Sequence, residues 1–172
     1  ERAEGIAGSS IVCSIEGTRP LMVEIQALVS RSSFGYPQRV ATGIDGKRLS
    51  IIIAVLEKRC GHDLSGEDIF VNVVGGLRLD EPAVDLAVAL AIVSSFRNVP
   101  IESKTVALGE IGLGGEIRPV NQVERRVAEA HSLGFERCLV ARSNLKGWKR
   151  PEGMDVIGVG GLEAAEDLSL RS

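Results

Sequence analysis

The stretch Val73-Val74-Gly75-Gly76-Leu77-Arg78-Leu79-Asp80-Glu81-Pro82-Ala83-Val84-Asp85-Leu86-Ala87-Val88-Ala89-Leu90-Ala91 decides how the rest of the chain is read. The paired glycines close the segment before them. Pro82 suits the first position of a helix, where its missing N–H costs nothing. From Leu86 to Val93 the run is apolar without interruption. A helix with no polar face must be enclosed on every side. Asp80, Glu81 and Asp85 crowd its start, where capping and the helix dipole both favour carboxylates.

Working outward, Ile11, Cys13 and Ile15 alternate with Val12, Ser14 and Glu16. After the turn Gly17-Thr18-Arg19-Pro20, Leu21, Val23, Ile25, Ala27 and Val29 alternate again, which predicts a β-hairpin. Residues 30–37 read as a loop, polar except for Phe34 and Tyr36. Asp45 stands as N-cap to a helix with Leu49, Ile52, Ile53 and Leu56 on one face, and Gly61 ends it. Residues 68–74 read as a strand.

On the far side, 106–111 and 116–120 flank Gly112-Leu113-Gly114-Gly115 as a second hairpin. A helix with Val123, Val127 and Ala130 on one face follows and stops at Gly134. Residues 138–140 and 156–157 are short strands, and 162–168 a last helix. Strands and helices interleave, with hairpins at the start and middle, so the fold class is α+β or mixed α/β, in one domain at 10–172. Residues 1–9 read as a linker.

The chain has 172 residues, enough for one substantial core. Its apolar share of 44% excludes general disorder. Aromatics are only 3%, so a base-stacking platform is excluded and the core must be aliphatic. Lys and Arg number 20 against 23 Asp and Glu, which excludes a uniformly basic surface but leaves room for local patches. The longest apolar run falls far short of the roughly 20 residues that span a bilayer. Three scattered cysteines form neither a disulfide framework nor a zinc motif, and fit a reducing, cytoplasmic setting.

The glycine-rich segments do not cradle phosphate. Thr42-Gly43-Ile44-Asp45-Gly46-Lys47 lacks P-loop spacing, and Gly112 to Gly115 joins two strands rather than opening a helix. Cys60 and His62 read as a buried thiol at a helix end and a solvated imidazole. Arg125 and Arg126, beside Glu124 and Glu129, read as a solvated helix face; the functional alternative has an arginine facing a subunit partner or a phosphate. Arg142, Lys146, Lys149 and Arg150 surround Trp148 in a loop. An indole-anchored basic surface is the modest reading, and contact with nucleic acid the sharper one.

The run quoted first, with Glu16-Gly17-Thr18-Arg19-Pro20-Leu21-Met22-Val23-Glu24-Ile25-Gln26-Ala27-Leu28-Val29 and Gly109-Glu110-Ile111-Gly112-Leu113-Gly114-Gly115-Glu116-Ile117-Arg118, closely resembles the C-terminal domain of the RadA (Sms) family of bacterial DNA-repair proteins. The resemblance covers nearly the whole chain. That domain is similar in turn to the proteolytic domain of Lon protease. The resemblance therefore implies Lon's α+β fold, with mixed sheets and packed helices, shared with a ribosomal-protein family.

Lon-type proteases use a serine in Pro-Ser-Ala-Gly as nucleophile and a lysine on a later helix as base. A hydroxyl is weakly nucleophilic until a neutral amine takes its proton. Here Pro82-Ala83-Val84-Asp85 puts Ala83 at the serine's place, and Arg126 falls at the lysine's. A shift of one register position gives Arg125, also arginine. A methyl group cannot attack, and a guanidinium stays protonated. The domain is expected to be proteolytically inactive, with no cofactor or metal of its own.

Further expectations follow from the resemblance alone. ATP, Mg and Zn belong to an upstream RecA-like ATPase and a zinc-binding segment, with 1–9 as the linker from that ATPase. The family processes branched recombination intermediates in the cytoplasm, which implies single-stranded or branched DNA, the recombinase RecA, and self-association into a ring, commonly a hexamer. On their own placement rather than on the resemblance, Arg39, Lys47 and Arg48, in the loop and at the helix start, concentrated in a short stretch beside a turn with a charged pair near helix-terminal N–H groups, are the expected phosphate contacts, with salt bridges between subunits as the competing role. Two alternatives stand beside this: the Lon-like domain of a magnesium-chelatase-related ATPase, and a hydrolase whose active site has moved to Asp80, Glu81 or Asp85.

Overall fold

In the computed structural model, residues 5–33 and 35–170 are described. Phe34 and the first four residues of the expected linker lie outside them. Period-two alternation forms β1 (Ser9–Glu16) and β2 (Arg19–Arg31), an antiparallel hairpin in continuous register from Ser9↔Gln26 to Glu16↔Arg19. Ser9, expected in the linker, already pairs in this ladder. The strand β3 (Arg39–Thr42) follows, and α1 (Gly46–Cys60) runs back along the sheet. Asp45 caps α1 by accepting the backbone N–H of Arg48, and Gly61 closes it in the left-handed conformation, both as expected.

Next come β4 (Glu67–Val73), a single 3-10 turn (Pro82–Val84), and α2 (Asp85–Arg97). Pro82 opens the turn rather than the α-helix. Residues 85 to 94 of α2 are all buried. The remaining elements are β5 (Thr105–Ala107), β6 (Glu110–Ile111), β7 (Ile117–Arg118), α3 (Val123–Ser132), β8 (Arg137–Ala141), β9 (Asp155–Val159) and α4 (Leu162–Ser169).

Seven strands form one sheet in the order β3-β4-β2-β1-β5-β8-β9. The β1–β2 and β2–β4 pairs are antiparallel, and the other four are parallel. The fold class is thus mixed α/β, with a mostly parallel central sheet and four α-helices. The core is aliphatic: Ile25, Leu49, Ile52, Leu56, Leu86, Leu90 and Ile92 are fully enclosed. α2 packs on β1 and β2 and against α1 and α4, which explains why it needs no polar face.

Two sequence expectations are corrected. Residues 106–111 are not one strand: β5 joins the main sheet, while β6 turns away to pair only with β7. Gly109 marks the break. A Cβ there would lie 2.6 Å from Ile117 Cγ2, and its N–H and C=O bond Ala83 and Leu86 across the start of α2. Arg39, expected in a loop, begins the edge strand β3 instead. Among the described residues, no helix is long and apolar enough to cross a membrane.

Candidate functional site

The segment Asp80–Asp85 belongs to the β4–α2 connection and lies beside β1 near the turn end of the β1–β2 hairpin, where Glu81 meets Ser14 and Ile15. Ala83 is buried and is one of the residues lining a cleft of about 150 Å³, with Glu81, Pro82, Glu110, Pro119, Val120 and Asn121. Arg126 is fully buried, so the solvated-face reading fails for it. Its guanidinium donates to Glu81 Oε1 at 2.5 Å, Asn121 Oδ1 at 2.6 Å, the Asn121 carbonyl at 2.9 Å and the Cys13 carbonyl at 2.8 Å. That set pairs the charge with a carboxylate and engages four of the five N–H donors of the planar fork. Its neighbour Arg125 stays exposed and bonds Gln122 and the Thr18 carbonyl.

Glu81 completes the network. Its Oε2 accepts the Ile15 N–H at 2.6 Å and the Ser14 hydroxyl at 2.9 Å. Burial alone would raise its pKa. Hydrogen bonds from Arg126, Ile15 and Ser14, with the Arg126 charge, outweigh burial and hold it below the ordinary 4.5. The segment is thereby stapled to β1 on one side and α3 on the other.

The opposite end of the segment carries a second pair. Asp85 is fully buried, and Arg48 lies over it with its side chain 30% exposed. Arg48 Nε reaches Asp85 Oδ1 at 2.9 Å, its Nη2 also bonds Asp85, and Nη2 donates to the Ile111 carbonyl. Asp85 accepts the Ile111 N–H at 3.0 Å, and the N-cap position of α2 is held by Val84, without a side-chain cap bond. The hydrogen bond to Asp85 is the main reason the Arg48 pKa rises further.

The three expected cations are not brought together. Arg39 Nη2 donates to the Leu64 carbonyl, beyond the C-terminal end of α1, whereas Lys47 and Arg48 occupy its first turn. A helix of 15 residues separates those ends by about 22 Å. Lys47 is exposed, and Arg48 has its guanidinium committed to Asp85. The three carboxylates also diverge: Asp80 pairs with exposed Arg78, Glu81 with Arg126, and Asp85 with Arg48.

His62 is not a solvated imidazole. Its Nε2 lies 2.8 Å from Glu166 Oε1 on α4, and its ring meets Phe96 edge-on at 5.8 Å. Burial and neighbouring Glu166 push the Cys60 thiol up to about 12, so it is inert. Among the described residues, no three acidic, histidine or cysteine side chains are placed to hold a metal ion.

The burial of Arg126 was legible in principle. It falls three residues after Val123 and four before Ala130, on the same helical face.

The family described as subunit ChlI of Mg-chelatase matches residues 41–144, which include the end of β3, all of α1, the stapled segment and Arg126. DNA repair protein RadA of Bacillus subtilis is 52% identical over 99% of the chain. RadA of Listeria monocytogenes is 52% identical and that of Streptococcus pneumoniae 49%, each over 92% of the chain. The chain spans little more than a third of these relatives: 37%, 35% and 38% of their lengths. With more than half of its residues matched, the chain belongs to the family described as subunit ChlI of Mg-chelatase, and shares about half of its residues with DNA repair proteins named RadA.

Proposed function

We propose that this chain is the Lon-like, non-proteolytic assembly and DNA-contact domain of a RadA-type DNA repair protein, at residues 10–172. The observation that carries the reading is the filled dyad position. Ala83 offers a methyl group, and Arg126 is held by four hydrogen bonds as a structural cation. A scaffold that has turned its base into a staple can retain its surfaces without its chemistry. Similarity to the RadA proteins over nearly the whole chain favours this reading over a magnesium-chelatase-related ATPase.

In this reading the domain itself takes no cofactor, and ATP, Mg and Zn serve other parts of a longer protein. Its partners are single-stranded or branched DNA, RecA, and further copies in a ring. Lys47 and Arg39 contact phosphate, each in a separate place, while Arg48 positions Asp85. The relocated hydrolase is disfavoured because Asp80, Glu81 and Asp85 each serve a different arginine.

Two measurements test this. Solution mass across a concentration series should show a closed assembly, and DNA titration at two salt concentrations should show salt-sensitive binding. A covalent acyl adduct with a peptide-like inhibitor would falsify the non-proteolytic reading.

A further inference from the structure

Among the described residues some cations pair with carboxylates, while others, such as Arg19, Lys47 and Lys58, stand apart from any carboxylate. Arg48, Arg78, Lys104, Arg118, Arg126 and Arg137 all pair with carboxylates. Arg142, Lys146, Lys149 and Arg150 do not: among the described residues none of the four forms an ion pair, and all four are exposed. Residues 142–150 contain no Asp or Glu. Four cations within nine residues repel one another, and an external anion would relieve that repulsion.

The loop is braced. It opens as a 3-10 turn (Arg142–Leu145) directly after β8. Asn144 bonds both the N–H and the C=O of Val120, and Trp148 Nε1 donates to the Asn144 carbonyl at 2.7 Å. Two glycines of the β9 region let the turn settle onto the sheet. A Cβ at Gly158 would lie 2.6 Å from Leu145, and one at Gly160 would lie 3.2 Å from the Arg142 guanidinium. The guanidinium is thus seated against bare backbone. Little ordering entropy remains to be lost when an anion binds.

We propose that the 142–150 loop is a second contact for the phosphate backbone of nucleic acid, resting on the DNA-contact reading above. A seated guanidinium fork presents paired donors that match phosphate oxygens, and the three cations after it extend the positive track. The half-buried Trp148 indole braces the loop and offers no base-stacking platform, so the contact reads charge rather than sequence. The loop leaves the end of β8, five strand spacings or about 24 Å across the sheet from β3, and Arg39 opens β3 at the opposite end of the strands, so the two surfaces are separable.

The test is anisotropy titration of the purified chain with fluorescein-labelled oligothymidine and with duplex DNA, between about 50 and 200 mM salt. The variant Lys146→Ala/Lys149→Ala/Arg150→Ala should lose about tenfold in affinity at low salt. Its log–log salt slope should fall by about 0.7 per lost contact on the single strand and about 0.9 on the duplex. Its melting temperature should match that of the parent. Wild-type binding with affinity and slope unchanged in this variant overturns the loop assignment and leaves the DNA-contact reading standing. Failure of the wild type to bind either DNA overturns both. Equally tight, loop-dependent binding of polyglutamate makes the loop a general polyanion surface and overturns its assignment to nucleic acid.

Discussion

The two arginine–carboxylate pairs that flank Ala83 are inverted copies of one another. At one end the cation is enclosed: Arg126 has no exposed side chain, and its partner Glu81 keeps 23%. At the other end the anion is enclosed: Asp85 has none, and Arg48 keeps 30%. An enclosed charge that loses its partner costs several kcal/mol, while an exposed one turns to water. Each pair therefore has one member whose deletion strands a buried ion.

The largest expected effect is Arg126→Ala. It empties the space of the bulkiest fully buried side chain and leaves the Cys13 and Asn121 carbonyls without their donor. By analogy with large buried truncations, about 4 kcal/mol of stability should be lost in urea unfolding. A loss under about 1 kcal/mol would mean that Arg126 is not packed as described.

Arg48→Ala comes next, at about 3 kcal/mol, because Asp85 is then left charged and enclosed. The double variant with Asp85→Asn should recover part of that loss. Strict additivity in the cycle would show that the pair is not coupled.

Glu81→Gln should cost less, about 1–2 kcal/mol, since Arg126 retains three other hydrogen bonds. This variant also carries the pH test. The Glu81 pKa is depressed on folding, so its contribution is present above the ordinary 4.5 and is lost as pH falls through the folded value. The stability gap between parent and variant should therefore narrow on acidification below 4.5. A gap that widens there would reverse the sign. The smallest effect is Lys47→Ala, within about 0.5 kcal/mol of the parent in stability. Any change in that variant should appear in DNA affinity alone.

Sequence reading succeeded where the signal was local. The α1 caps at Asp45 and Gly61, the turn between β1 and β2, and the all-apolar α2 each declare themselves within a few residues. It missed β3, where Arg39-Val40-Ala41-Thr42 is too short for a period and is held by parallel pairing with distant β4. It misjudged Arg126 because the charged neighbours Glu124, Arg125 and Glu129 advertise a wet surface. What buries the side chain comes from Glu81, Asn121 and Cys13. His62 gave no local signal of Glu166, which lies 104 positions away. The loop at 112–115 was correctly read as the turn of a hairpin, but the separation of that hairpin from the main sheet had no local signal.

The all-round burial of α2 also has a consequence for biosynthesis. Its last cover, α4, is made after every other described element. Until residues 162–169 leave the ribosome, a greasy cylinder stays partly uncovered on the nascent polypeptide. A chain truncated before Leu162 should accumulate in inclusion bodies rather than as a slightly smaller native protein.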